Sequence, residues 1–258
     1  MGLLDVLFKS AEKAATRAVK NAVSQKVNEV VRETVKDGLD DLIPTPRKSA
    51  PAPQTAKASL YDTTPDLPIP FTNMCGWLCM KGRTSEEVIT ILGLKNAQPA
   101  NWKSGLPVVA RSMLNKVFVV SVGEYVLALG YCPFGVMKTV KEELAVLNNI
   151  AMQVDEMSCF ATQSVVDIHV WAKYHGTLQR AYGWIGERGE VYINMGDISP
   201  EEISLGYTNL IQNTDCDWDT VDMLNYEHVH EMSKAWGVAP DLSNVSSYET
   251  STGFVCDK

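Results

Sequence analysis

A short acidic stretch near the C-terminal end of the chain has the types and spacing of metal ligands. Asp215, Asp217 and Asp219 alternate as the ligands of a calcium loop do. Such a loop also needs Gly at its sixth position and Glu at its twelfth, where this sequence has Thr220 and Tyr226. Carboxylates that precede a helix favour its positive end. We therefore interpret the stretch as the cap of the last helix and assign no metal site.

Histidine and cysteine side chains are the next candidates for chemistry. His228 and His230 form a His-x-His pair, but two residues that are two positions apart on a helix point about 200° apart and cannot share a metal. Asp167 and His169 lie on one face of a predicted strand, and Cys159 is close in sequence. A cysteine nucleophile needs a nearby histidine base, which the sequence alone does not establish. We interpret His169 as a structural histidine.

An aromatic set forms the candidate binding surface. Phosphate-binding glycine loops, the Gly-x-Ser-x-Gly motif and the dinucleotide-binding fingerprint are absent from the sequence, so we assign no catalytic residue and no cofactor. The candidate binding residues are Trp171, Tyr182, Trp184, Glu187 and Tyr192. Aromatic residues of this kind form either an exposed partner-binding face or part of a core.

The elements that carry these residues form a predicted three-stranded antiparallel meander over 165–175, 178–185 and 190–194. Side-chain character alternates with period two, which places Ile168 and Val170 on one face and His169 and Trp171 on the other. This alternation is typical of a half-buried strand. Glycines in the two connections allow tight turns. The meander therefore needs helices to cover its apolar face.

The rest of residues 71–258 alternates between short apolar runs and helical patterns. The pattern predicts an α+β fold, with an antiparallel sheet that consists of a hairpin and the meander and is covered by helices. The further predicted elements are a strand over Met74–Met80, a helix from Thr84 or Ser85 to near Gly93, a loop over Asn101–Gly105, a hairpin of Val117–Val122 and Tyr125–Leu129, and helices over Thr139–Met152, from Ser199 onward and over Thr220–Trp236.

Two segments precede this domain. Apolar residues recur every three or four positions over residues 3–42, which predicts a long amphipathic helix in residues 1–43. Its first half is basic and its second half is acidic. Residues 44–70 hold seven of the twelve prolines of the chain, which is typical of an extended linker. The predicted organisation is therefore a helix, a linker and a globular domain over 71–258.

The bulk composition limits the class of protein. The net charge is −8, and residues 71–258 hold 13 Lys or Arg against 22 Asp or Glu, so we expect no nucleic-acid binding by this domain. The six cysteines show no paired CxxC motif, which favours free thiols in a reducing compartment. The N-terminus lacks a signal-peptide pattern, and no apolar run reaches the length of a membrane span. We expect a cytoplasmic protein, with peripheral membrane binding through residues 1–43 as an alternative.

Four short stretches in the globular part resemble a family of uncharacterised bacterial α+β proteins. The similarity extends over about residues 71–240 and leaves out the N-terminal helix. It implies a bacterial, cytoplasmic setting and carries no activity or site residue onto this chain. The matching stretches are 101–105 (NWKSG), 125–130 (YVLALG), 180–187 (RAYGWIGE) and Ala235-Trp236 before Pro240.

Three hypotheses for function follow from these observations. The first is a non-enzymatic protein-binding domain, in its concrete form an immunity-type protein whose acidic surface suits a basic cleft of a toxin or nuclease. The second is membrane association or self-assembly through residues 1–43. The third is an unrecognised enzyme whose site combines Cys159, His169 and Glu187.

Overall fold

A nine-stranded sheet is the centre of the fold. The computed structural model describes residues 60–112, 115–135, 137, 139–163, 167–186, 190–212 and 224–258. The strand order is β2-β9-β3-β4-β1-β5-β6-β7-β8, and every neighbouring pair is antiparallel. The strands are β1 Gly76–Lys81, β2 Lys95–Asn101, β3 Lys116–Val122, β4 Tyr125–Leu129, β5 Glu156–Gln163, β6 Ile168–His175, β7 Thr177–Ile185, β8 Glu190–Met195 and β9 Thr252–Asp257.

Helices cover both faces of this sheet, which makes the fold α+β. One side, the aromatic face, carries Trp77, Phe160, Trp171 and Tyr182. The other side, the aliphatic face, carries side chains such as Val170. The helices of the described residues are α1 Ser85–Ile91, α2 Trp102–Ser112, α3 Val140–Ala151, α4 Pro200–Ser204, α5 Thr208–Gln212 and α6 Tyr226–Trp236. Side chains of α2, α5 and α6 pack in the aromatic core, and side chains of α1 and α3 pack in the aliphatic core.

Elements that have strong local signals agree with the sequence analysis. Thr84 caps α1 in a capping box with Glu87, and Ser199 caps α4 in the same way with Glu202. Helix α3 begins after Thr139, which also serves as its cap. The hairpin of β3 and β4 and the three strands of the meander have nearly the predicted bounds. Each of these features depends on residues that are close together in the sequence.

Three predictions about the elements were wrong. The expected loop at Asn101–Gly105 is the end of β2 and the start of α2. Strands β2, β5 and β9 were not predicted at all, and they enlarge the sheet from its expected hairpin and meander. Strand β6 is not half-buried, because both Val170 and Trp171 are fully buried. The sheet has a core on each face, so alternation in side-chain type does not mean alternation in exposure.

The described part of the segment that was predicted as a linker is attached to the domain. Asp66 pairs with Ser251 in an isolated β-bridge, and its carboxylate accepts hydrogen bonds from the backbone N–H groups of Trp102 and Lys103 at 2.8 and 3.1 Å. These bonds satisfy two donors at the start of α2. The helix predicted over residues 3–42 and the remainder of the linker lie outside the described residues.

Candidate functional site

Three of the five predicted binding residues lie in the aromatic core. Trp171, Tyr182 and Trp184 are at most 3% exposed. The rings of Trp171 and Tyr182 lie 5.5 Å apart, and Trp184 Nε1 donates to the Tyr182 hydroxyl at 2.5 Å. That hydroxyl donates in turn to the carbonyl oxygen of Leu210 in α5. These side chains therefore support the meander from within the aromatic core. Glu187 lies outside the described residues.

A buried ion pair joins the meander to α4. Arg180 Nε lies 2.8 Å from Glu202 Oε2, and both side chains are at most 3% exposed. Trp171 Nε1 also donates to Glu202, and Arg180 Nη1 donates to Asn194 Oδ1 in β8, each at 2.8 Å. A buried carboxylate needs a cation and hydrogen-bond donors to offset its loss of hydration, and all of them are present here. The pair holds β7, β8 and α4 in one arrangement.

Tyr192, the fifth predicted residue, anchors the same strand from the aliphatic face. Gly183 is opposite Ile193 and Trp184 is opposite Val191, so Tyr192 is the extra residue of a β-bulge. Its hydroxyl donates to Glu143 Oε2 at 2.5 Å, and the backbone N–H of Gly135 donates to Oε1 of the same carboxylate. Burial, with Glu143 as a further cause, raises the pKa of Tyr192. The hydroxyl therefore remains a hydrogen-bond donor at neutral pH.

Strand β8, which these two anchors fix, is one edge of the sheet. Among the residues that the structure describes, no strand pairs with its outer side. Val191 and Met195 on this strand are each 45% exposed. Ile203 and Leu205, in and just after α4, are also exposed. The backbone at the outer side of an edge strand can pair with another strand, so β8 combines a backbone suited to pairing with exposed apolar side chains.

The sequence from β8 onward is strongly acidic. Residues 189–233 contain ten Asp or Glu and no Lys or Arg. Glu190 and Asp197 are exposed beside the edge, and Glu202 forms the buried pair with Arg180. This charge asymmetry is visible in the sequence and could have pointed to the β8 region. The exposure of Val191 and Met195 could not have been predicted, because it depends on the position of β8 at the end of the strand order.

The opposite edge, β2, carries two protective residues that β8 lacks, and it has a register shift as well. Pro99 has no N–H to offer, Lys95 places a charge at the start of the strand, and the pairing register shifts between Lys95 and Gln98. Asn96 has a φ of 52°, in the left-handed region. Proline, lysine and bulges are the devices that keep sheet edges from pairing with other chains. Strand β8 has a bulge but neither Pro nor Lys.

A second cluster of polar side chains lies where β5 and β6 meet. His169 is 5% exposed and is opposite Thr162 in the register of these strands. Its Nδ1 lies 3.0 Å from Thr162 Oγ1, and its Nε2 lies 3.2 Å from Asp167 Oδ1. Burial lowers the pKa of His169, although Asp167 opposes this shift. Thr162 was missed in the sequence analysis because β5 was not predicted.

The residues suggested for an enzyme are not brought together. Cys159 lies in the aliphatic core, whereas Thr162 and His169 point to the opposite side of the sheet. Burial raises the pKa of the Cys159 thiol well above its ordinary value, which disfavours a thiolate nucleophile. The combination of Cys159 with His169 is therefore wrong, and Glu187 lies outside the described residues.

The His-x-His pair does not form a joint site. His228 packs its ring 5.0 Å from that of Tyr207, whereas His230 lies 5.9 Å from the ring of Trp77. Within the described residues, no group of three or more His, Cys, Asp or Glu side chains could hold a metal ion. The acidic stretch with Asp215, Asp217 and Asp219 lies outside these residues. In the part of the chain that the structure covers, no helix is both long and apolar enough to cross a membrane.

Comparison with known proteins adds no family to this description. No protein-family model matches the chain, and neither curated proteins nor solved structures give a match. The resemblance to uncharacterised bacterial proteins therefore stays a prediction. The candidate functional site is therefore an acidic edge strand that is anchored on both faces and exposes apolar side chains.

Proposed function

We propose that the chain is a protein-binding domain whose edge strand β8 pairs with an extended, basic segment of a partner protein. The observation that carries this proposal is the exposure of β8 at an edge without Pro or Lys, together with the apolar side chains of Val191 and Met195. Strand addition uses the backbone for affinity and alternate side chains for specificity. A partner strand on β8 would extend the sheet by one antiparallel or parallel neighbour.

Rigid support of the edge favours this mode of binding. Arg180 and Glu202 hold β8 from one side, and Tyr192 with Glu143 holds it from the other. A strand that is already ordered loses little conformational entropy when a partner pairs with it. Little of the free energy of pairing is then needed to order β8, and most of it contributes to the affinity for the partner.

Charge favours a basic partner over a second copy of this chain. Two β8 strands paired with each other would place the Glu190 and Asp197 carboxylates of both copies along the same seam. Like charges that are close together oppose such pairing, whereas Lys or Arg on a partner segment would complement them. An immunity-type role, in which the partner is a toxin or nuclease with a basic cleft, is one concrete form of the proposal. Membrane or self-association through residues 1–43 concerns residues outside the described ranges.

A displayed library of extended peptides, selected against the immobilised full-length chain, tests the proposal. We expect enriched peptides that alternate apolar and other residues and carry Lys or Arg. The double variant Val191→Lys, Met195→Lys should weaken their binding by roughly tenfold or more in Kd, which corresponds to about 1.4 kcal/mol. The matched control is Gln98→Lys on the β2 edge, which should leave binding unchanged.

Hydrogen exchange provides the second readout of the same experiment. A bound peptide should slow exchange of backbone amides in β8 and leave those of β2 unchanged. If enriched peptides bind the double variant as tightly as the wild-type chain, or protect a region other than β8, the proposed binding edge is wrong.

A further inference from the structure

Thr162, His169 and Asp167 form a hydrogen-bonded chain that the binding proposal does not use. Thr162 and His169 are opposite each other on β5 and β6, so the sheet register fixes their separation. Asp167 directly precedes β6 and has a φ of 51°, a conformation that L-residues rarely adopt. In this conformation, the Oδ1 atom of Asp167 lies 3.2 Å from His169 Nε2. Backbone strain that orients a polar side chain is a feature that concentrates at functional sites.

The bonds in this chain determine which nitrogen of His169 carries the proton. An ionised carboxylate only accepts hydrogen bonds, so Nε2 must be the N–H that donates to Asp167. In the neutral imidazole, Nδ1 then has a lone pair and accepts the hydroxyl proton of Thr162 at 3.0 Å. The arrangement is that of a hydroxyl nucleophile, a general base and a carboxylate that orients the base.

We propose that Thr162, His169 and Asp167 form an acyl-transfer site for small, uncharged carboxylic esters. Because Thr162 is only 9% exposed, a bulky acyl group would be excluded from its hydroxyl. The carboxylate of Asp167, whose side chain is 36% exposed, would repel an anionic substrate. Thr162 is the catalytic nucleophile, His169 is the general base, and Asp167 is a positioning residue that acts through His169.

The reaction is balanced without a further reactant except water. Thr162 Oγ1 forms a bond to the carbonyl carbon, and its proton passes to His169 Nδ1. The bond from that carbon to the leaving alcohol oxygen breaks, and the proton on Nδ1 passes to this oxygen. Water then attacks the acyl-threonine ester, gives a proton to Nδ1, and the proton returns to Thr162 Oγ1 as the carboxylic acid leaves.

The test uses the full-length chain and p-nitrophenyl acetate, with release of p-nitrophenolate as the rate and peptide mass spectrometry as the readout for acetylation. We expect one acetyl group on Thr162. Thr162→Val, which keeps the shape of the side chain, should lower the rate by roughly 100-fold or more. Thr162→Ser should keep acetylation at this position. Thr90→Val in α1 is the matched control and should leave the rate unchanged.

A pH profile separates catalysis from a structural role of the same residues. The rate should rise with pH as His169 loses its proton, and Asp167→Asn should move this rise to lower pH because the carboxylate of Asp167 raises the pKa of His169. His228 on α6 opposes that effect and is present in both proteins. Equal rates for wild type and Thr162→Val, or acetyl groups only at other residues, would overturn the proposal. The β8 lysine variants should not change acetylation, so this test fails or succeeds independently of the binding edge.

Discussion

The two edges of the sheet differ in the features that hinder pairing with another chain. At β2, Pro99, Lys95 and a shift in register discourage pairing with another chain. At β8, exposed Val191 and Met195 accompany an edge without these residues, and two buried carboxylates on opposite faces hold the strand in place. A sheet that protects one edge and supports the other has one edge suited to a partner. The following predictions test whether this difference is real.

Removal of the charge on Glu202 should have the largest effect. Glu202→Gln leaves the buried guanidinium of Arg180 without its carboxylate, and the loss of one partner of a buried pair costs about 3–5 kcal/mol. Chemical denaturation should show this decrease in the free energy of unfolding. Exchange of the β8 amides should accelerate more than that of the β2 amides. Glu201→Gln is the control, because Glu201 is partly exposed and lies 4.0 Å from Lys173, and its change should stay below about 1 kcal/mol.

Loss of the anchor on the aliphatic face should have a smaller effect. Tyr192→Phe removes the hydroxyl that donates to the buried carboxylate of Glu143, and an unsatisfied buried acceptor costs about 1–3 kcal/mol. Denaturation should show this loss, with faster amide exchange confined to β8 and its neighbours. Tyr226→Phe, on an exposed side chain of α6, should change the unfolding free energy by less than about 0.5 kcal/mol. Equal losses in the two variants would contradict the anchoring role of Tyr192.

Acidification should affect the β8 half of the sheet before the β2 half. Burial lowers the pKa of His169 and of His230 below the ordinary value of 6.5, although Asp167 opposes the shift at His169 and Asp241 and Glu227 oppose it at His230. The unfolded state therefore binds protons more readily than the folded state. The two histidines therefore make their full contribution to the free energy of unfolding above about pH 6.5, and this contribution decreases as the pH falls below that value.

Amide exchange between pH 7 and pH 5 is the measurement for this prediction. After correction for the pH dependence of the intrinsic exchange rates, the backbone amides of β5, β6 and α6 should exchange faster at pH 5 than at pH 7. At the other edge, hydrogen bonds from Lys116 and Asn96 lower the pKa of Asp257, so its contribution remains at pH 5. Uniform acceleration across the sheet, or none, would show that the histidines do not control the acid sensitivity.

Removal of the protective residues from β2, or introduction of lysines into β8, should have the smallest effect on the free energy of unfolding. Both changes should have a clear effect on self-association. Pro99→Val with Lys95→Thr removes both protective side chains from β2, and we expect concentration-dependent self-association in sedimentation. Val191→Lys with Met195→Lys should reduce any association through β8 and leave the unfolding free energy within about 0.5 kcal/mol, because both side chains are partly exposed. If the β2 variant self-associates no more than the wild-type chain at any concentration, its protective residues do not explain the difference between the edges.

Local patterns in the sequence determined several elements of the fold. Thr84 with Glu87 and Ser199 with Glu202 form capping boxes within four residues, so the starts of α1 and α4 could be predicted. The β3–β4 hairpin and the meander are likewise made of strands that are adjacent in the sequence. Their pairing needs no information from distant parts of the chain.

The start of α2 shows why other elements could not be predicted. Gly105 and Pro107 lie within this helix and favour a loop. The helix forms there because Asp66, 36 residues away, accepts hydrogen bonds from its first N–H groups. Gly105 is required because a Cβ atom at this position would lie 2.7 Å from the ring of Phe118. Both causes are tertiary contacts.

The sequence by itself determined the α+β class, the meander and the acidic charge from residue 189 to 233. Only the tertiary structure decided which aromatic residues are buried, because β9 and β2 extend the sheet and helices cover both of its faces. It also decided that β8 is an edge and that Thr162 lies opposite His169. The position of β8 at an edge depends on pairing between strands that are distant in sequence, about which side-chain periodicity contains no information. The pairing of Thr162 with His169 is local, and it could not be predicted because β5 itself was not predicted.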